Sequence, residues 1–233
     1  MQSELEQSNP ISNARLTHFN EAGYCIVKNS VSPKLCEFLS QYARFRYQTS
    51  PNVINSSHPL EGIHREYGNS VMELLLLNLC GTVEKYTGMK LWPTLSFYYT
   101  YTKGNILKKH KDRDSCEVVA CLCLGMDVQY SKEHKSWPIY LEKDSIETAV
   151  LLEPGDIVIF KGNKMNHWRQ KFQGEWFVSA IFAYVAKDGD HAYLKYDQRK
   201  NIGDKHIGGF FWLAYIIIHK IKIKLFSLFN ITL

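Results

Sequence analysis

The sequence predicts an α+β domain in which N-terminal helices support one side of an antiparallel β-roll. Three observations predict it. Apolar residues recur at helical spacing early in the chain, short β-rich runs bounded by turns begin near residue 91, and an all-apolar run directly follows Pro154-Gly155-Asp156. With 233 residues, 45% hydrophobic and 13% aromatic, the chain can bury one substantial core. One main domain is expected over residues 16–203, preceded by a polar segment at 1–15 and followed by a compositionally distinct extension at 204–233.

The first helix is announced by Ser32-Pro33, a capping hydroxyl before a proline at the first helical position. Leu35, Phe38, Leu39, Tyr42 and Phe45 then follow at helical spacing and predict its apolar face. A second helix opens at Ser70-Val71-Met72-Glu73, where Ser70 and Glu73 fit a capping box, and it ends before Gly88. Its nearly continuous leucines, 74–79, predict burial against a sheet. Strands are expected at 95–102, 117–124, 136–141, 157–160 and 176–185, the fourth covered on both faces because Ile157-Val158-Ile159-Phe160 has no polar position. The stretches 48–67 and 131–135 are polar and read as loops at an entrance.

Charge and cysteine content narrow the function classes. The net charge of +5 comes from 28 basic and 23 acidic residues that are scattered, so no basic stripe argues for nucleic acid. The densest cluster, residues 103–113, reads as a rim that attracts an anionic cosubstrate. Residues 1–13 are polar with no apolar stretch, which reads as a cytoplasmic chain whose six cysteines are reduced and structural. The apolar extension 210–233 carries His219, Lys220, Lys222 and Lys224 in its middle. Each central charge would cost about 2.5–3.5 kcal/mol in a bilayer, so a simple transmembrane helix is rejected, and two readings stay open: an ill-packed extension, or an interfacial anchor with its lysines at lipid headgroups.

The chemistry-bearing segment is His110-Lys111-Asp112. On an extended chain, side chains two apart share a face, so one imidazole and one carboxylate can grip the same ion. His167 follows about fifty-five residues later, after the Pro-Gly-Asp turn and the apolar strand, where a roll can return it to the same place. Two histidines and one carboxylate leave open positions on a metal, the arrangement of non-haem iron(II) oxygenases. The remaining histidines, including His64, His134 and His191, read as surface or hydrogen-bonded residues.

Tyr101 and Gly104 before His110-Lys111-Asp112-Arg113, then Pro154-Gly155-Asp156, then His167-Trp168-Arg169, resemble the Fe(II)/2-oxoglutarate-dependent dioxygenase superfamily, in particular its prolyl 4-hydroxylase-like branch. Ser115-Cys116-Glu117 and Trp137-Pro138-Ile139 are similar to compact bacterial and phage members. The resemblance implies a double-stranded β-helix (jelly-roll, cupin-like) core and Fe(2+) held by His110, Asp112 and His167. It further implies that 2-oxoglutarate and dioxygen are consumed as a carbon of a small-molecule or peptidyl substrate, such as a prolyl residue, is hydroxylated. The aromatic residues Phe97, Tyr98, Tyr99, Tyr101 and Trp168 would form a dry shell around it.

One position departs from the family. Relatives carry an Arg or Lys about nine to eleven residues past the distal His to pair with the distal carboxylate of 2-oxoglutarate, and here that window holds Trp176, Phe177 and Val178. Arg169 is the first substitute, since it shares a strand face with His167, and Arg113 is the second. Tyr101 would add a hydrogen bond. The rival reading is a non-catalytic β-roll that binds a ligand without chemistry. A zinc hydrolase is disfavoured because no helical His-Glu motif accompanies the pair.

Overall fold

A computed structural model of the chain describes residues 19–50 and 62–204. Chain contacts divide it into one unit ending at Gly203 and a second from Asp204 onward. The expectations for residues 1–15 and for the extension, membrane contact through 210–233 included, lie outside the described residues. No helix among those described is long and apolar enough to cross a membrane.

Among the described residues ten strands form two antiparallel sheets. In chain order they are β1 (Tyr24–Val27), β2 (His64–Tyr67), β3 (Leu91–Thr102), β4 (Leu107–His110), β5 (Val118–Met126), β6 (Ile139–Lys143), β7 (Ile146–Val150), β8 (Ile157–Phe160), β9 (Asn166–Arg169) and β10 (Trp176–Ala186). The major sheet has the order β1-β8-β5-β10-β3-β2 and the minor sheet β4-β9-β6-β7. Among the described residues, helices α1 (Pro33–Thr49), α2 (Ser70–Thr87) and α3 (Val128–His134) accompany them. The strands expected from sequence are all present, 157–160 with the expected ends and the others with shifted ones; β4 and β9 are the extended segments expected to carry His110 and His167, and β2 and β7 are additional. Residues 131–135, read as a loop, belong mostly to α3.

The alternation of side chains along the major sheet builds two separate cores. Val118, Ala120, Leu122 and Leu124 of β5, with Ile157 and Ile159 of β8, face the helices. Val119, Cys121 and Cys123, with Val158 and Phe160, face the interior of the roll. Strand β8 is therefore buried along its whole length, as its unbroken apolar sequence requires. The six cysteines are unpaired with one another, and all but Cys80 are buried.

Helix α1 begins as expected, with the Ser32 hydroxyl accepting from the Leu35 N–H and Pro33 in the first turn. Its buried face is not the expected one. Cys36, Leu39, Ser40 and Ala43 pack on the sheet, whereas Leu35, Phe38 and Phe45 are exposed. The reason is close approach: a Cβ placed on Gly125 of β5 would sit 3.2 Å from the Ser40 side chain, so only the small-residue face fits.

Helix α2 is capped by Asn69 rather than Ser70, through a 3.1 Å bond from the Val71 N–H to the Asn69 side-chain oxygen. Glu73 is thereby left to make a different contact, and its almost wholly buried carboxylate pairs with Arg199 at 2.6 Å. Gly88 ends the helix in the left-handed conformation, and Met72, Leu76, Leu79 and Val83 form the buried stripe while Leu74 and Leu77 face outward.

Pro154-Gly155-Asp156 positions β8 against β1. Gly155 is needed because a Cβ there would lie 2.3 Å from the Val31 carbonyl oxygen. The buried Asp156 carboxylate accepts from Lys28 Nζ at 2.6 Å and from the Asn29 N–H at 3.1 Å, closing the turn after β1.

Candidate metal centre

His110 and His167 are directly opposed in the β4–β9 pairing of the minor sheet, which brings their rings to a centroid distance of 4.2 Å. Each ring is oriented by its own backbone. His110 Nδ1 lies 2.8 Å from the Lys108 carbonyl oxygen and His167 Nδ1 lies 3.2 Å from that of Met165. With Nδ1–H donating to a carbonyl, the lone pair is left on Nε2, the tautomer a metal ligand needs. Burial pushes the pKa of His167 down, opposed by the nearby Asp112 carboxylate and reinforced by His110. Its ring is thus held neutral.

Asp112 lies just beyond the end of β4, so the expected strand face stops at His110. Its placement comes from Gly162, whose carbonyl accepts the Asp112 N–H at 3.0 Å. A Cβ on Gly162 would meet the Cys116 carbonyl oxygen at 2.5 Å and Asp112 Oδ2 at 2.8 Å, so the glycine is required for this approach. The Asp112 oxygens face the two imidazoles, His110 Nε2 to Oδ1 and His167 Nε2 to Oδ2, both at 3.6 Å.

These contacts are too long for hydrogen bonds and converge on a shared point. One ligand atom from each of the three residues lies within 4.8 Å of the others. Ligands bound side by side at about 2.1 Å from one ion stand about 3 Å apart, so small adjustments suffice. Two imidazoles with one carboxylate suit a first-row divalent ion such as iron(II), and a three-residue set leaves positions free. The residues fit the metal.

The three ligands open on a cavity of about 440 Å³ inside the roll. Phe97, Tyr99 and Tyr101, alternate residues of β3, form its wall, and Cys121, Phe160 and Ser179 contribute from the other strands. Tyr98 and Trp168 do not join this shell. Tyr98 points to the helix side and donates to Glu66 at 2.5 Å, and Trp168 stacks on Tyr140 at 5.4 Å with Lys109 over its ring. Burial raises the pKa of the Tyr101 hydroxyl, which stays protonated and able to donate.

Arg169 lines the same cavity and is 2% exposed. Its Nη1 donates to the Trp137 carbonyl at 2.5 Å, and no carboxylate among the described residues pairs with it. Arg113 sits differently: half-exposed at the rim, it donates to Asp197 Oδ2 at 2.6 Å. Asp197 also accepts from the Tyr67 hydroxyl at 2.8 Å.

Sequence reasoning missed Arg65, which enters the cavity from the edge strand β2, and the Asp197 carboxylate behind Arg113. Only Tyr67 of His64-Arg65-Glu66-Tyr67 favours a strand, too little to distinguish the segment from a polar loop. His64 itself is neither at the surface nor hydrogen-bonded among the described residues.

No protein-family model matches the chain, and no curated protein sequence does. Solved structures do. A Pseudomonas putida prolyl-4-hydroxylase aligns at a TM-score of 0.59 with 17% identity, over 75% of this chain and 98% of that one. The non-haem alpha-ketoglutarate-dependent epimerase SnoN of nogalamycin biosynthesis aligns at 0.62 with 14% identity, over 85% and 93%. HygX from Streptomyces hygroscopicus, solved with nickel and 2-oxoglutarate, aligns at 0.58 with 12% identity, over 76% and 87%. The chain therefore has the double-stranded β-helix, or jelly-roll, fold of the iron(II)/2-oxoglutarate oxygenases, prolyl hydroxylases among them.

Proposed function

We propose that the chain is an iron(II)/2-oxoglutarate-dependent dioxygenase that couples oxidative decarboxylation of 2-oxoglutarate to hydroxylation of a substrate carbon. The observation that carries this reading is the pairing, in one cavity, of the His110–Asp112–His167 set with a buried arginine lacking a carboxylate partner among the described residues. A buried guanidinium without a counter-charge is costly, and an anionic ligand would relieve that cost. A 2-oxo diacid offers a chelating end and a carboxylate end, which matches this division.

His110, Asp112 and His167 would hold iron(II), which when bound supplies the activation of dioxygen. The chain's own residues do the rest. The Lys108 and Met165 carbonyls keep both imidazoles aimed, with Nε2 of each turned toward the other ligands. Arg169 would bind the distal carboxylate of 2-oxoglutarate through its planar fork, with Tyr101 donating a hydrogen bond beside it. The Phe160 ring, centred 4.9 Å from that of His167, and the β3 aromatics keep the reacting volume poor in water. A peptidyl proline, the substrate class implied by the name of the Pseudomonas putida neighbour, is one candidate to assay.

The test is an anaerobic titration of iron(II)-loaded protein with 2-oxoglutarate, reading the visible charge-transfer absorption of the chelate, in wild type and Asp112→Ala. A band in the wild type that the variant lacks supports the assignment. Iron bound with no band defeats the cosubstrate assignment and favours a roll that binds a ligand without this chemistry.

A further inference from the structure

The cavity has two cationic poles, and a single cosubstrate cannot use both. At the inner pole, Arg169 lies between Trp137 and Phe177, and Tyr101 packs on the same two rings at 5.0 and 6.2 Å. At the outer pole, Arg65 lies 5.6 Å from the centre of the Phe97 ring and pairs in register with Tyr99. Arg113 and Lys111 line the cavity as well. From Tyr101 to Phe97 is four residues of strand, about 13 Å at roughly 3.3 Å per residue. A five-carbon diacid has four C–C bonds of about 1.5 Å and spans less than half of that.

The charge balance at the outer pole is positive. Among the described residues three cations, Arg65, Lys111 and Arg113, stand there against two carboxylates, Asp112, whose charge a metal would more than offset, and Asp197 behind Arg113. Asp197 occupies one Nη2 donor of Arg113 from behind and, with Tyr67, fixes the direction of the guanidinium. The remaining edge of that fork is available to a ligand. Beside it, Phe97 presents a half-buried ring that stacks on Tyr99 at 5.8 Å.

We propose that the substrate is a small organic acid, whose carboxylate is gripped by Arg65 and Arg113 at the cavity mouth while its apolar part lies on Phe97. This rests on the oxygenase reading of the same cavity, and it specifies the substrate class. Arg65 and Arg113 determine specificity, and Asp197 is a positioning residue for Arg113.

The test compares 3-phenylpropanoate with 3-phenylpropanamide, isosteres that differ in charge, by calorimetric titration of the full chain. The acid is expected to bind about tenfold or more tightly than the amide, and Arg65→Gln and Arg113→Gln should each erase most of that preference. Arg65→Lys should retain part of it. If a neutral variant fails to fold, the wild-type preference must still shrink as salt rises from about 0.05 to 0.5 M. Equal binding of acid and amide, or no binding of the acid at millimolar concentration, overturns the proposal and favours a neutral substrate such as a peptidyl proline. A preference lost in Arg169→Ala but kept in Arg65→Gln overturns it too, because the probe would then occupy the inner pole. Should 2-oxoglutarate fail to bind while the acid preference maps to Arg65 and Arg113, the oxygenase reading falls, and with it the role of the acid as a substrate, while the organic-acid subsite itself stands.

Discussion

The guanidinium carbon of Arg169 lies 4.7 Å from the centre of the Phe177 ring. Phe177 stands in the window where the resemblance calls for a cation, so the charge missing from β10 is delivered beside that position by β9. Arg169→Ala is expected to raise the Kd for 2-oxoglutarate about tenfold or more, the loss of one charge-assisted bidentate contact worth about 1.5–3 kcal/mol. Metal affinity should stay near the wild-type value. Arg113→Ala should change 2-oxoglutarate binding far less, and calorimetry on both variants with a redox-inert divalent ion separates them; equal losses would remove Arg169 from this role.

Gly162 controls the third ligand. Because a Cβ there would press on Asp112 Oδ2 and on the Cys116 carbonyl, Gly162→Ala is expected to weaken metal binding about tenfold or more while the far-UV spectrum stays native. Unchanged metal affinity in a folded Gly162→Ala protein would show that Asp112 does not need this placement.

The Glu73–Arg199 pair ties the end of the described domain to the first turn of α2, with both side chains at most 3% exposed. Arg199 Nη2 also donates to the Thr94 carbonyl at 3.0 Å. Removing one member leaves the other charge buried, so Arg199→Met should cost about 3–5 kcal/mol in urea unfolding, and Glu73→Met with Arg199→Met together should cost much less than twice that.

His64 gives the apo protein a pH dependence. Its ring is 2% exposed, lies 5.3 Å from Tyr47 and 6.1 Å from Tyr98, and burial pushes its pKa down, with Glu66 opposing and Arg46 adding to the effect. The unfolded chain then binds its proton first. Stability is full above the ordinary histidine value of about 6.5 and falls as the pH drops through it toward the folded value. Urea midpoints at a neutral and a mildly acidic pH should differ in the wild type and differ less in His64→Leu; an identical pH effect in both would assign it elsewhere.

Much of this was legible in the sequence because it was written in local chemistry. Ser32-Pro33 named a helix start, Pro154-Gly155-Asp156 named the turn before β8, and His110, Asp112 and His167 carried donor types that recur together at metals. What was not legible depends on partners distant in the chain. Phe38 and Phe45 look like a buried face until Gly125 is seen to admit only Ser40 and its small neighbours. Glu73 looks like a helix cap until Arg199 arrives from the other end of the domain. Arg65 gave no signal because its role is set by the register of β2 against β3.

Both histidines belong to the minor sheet, and the cavity wall that meets an incoming molecule belongs largely to the major one. On the proposed function the molecule is thus divided into a holder and a selector that meet along a seam. Replacements along the inward side of β2 and β3 can redraw what is admitted while the opposed pair at 110 and 167 keeps its register. A chain built this way can change its diet without relearning its chemistry, and a designer who wants a new specificity should vary Arg65, Phe97 and Tyr99 before touching the strands that carry the imidazoles.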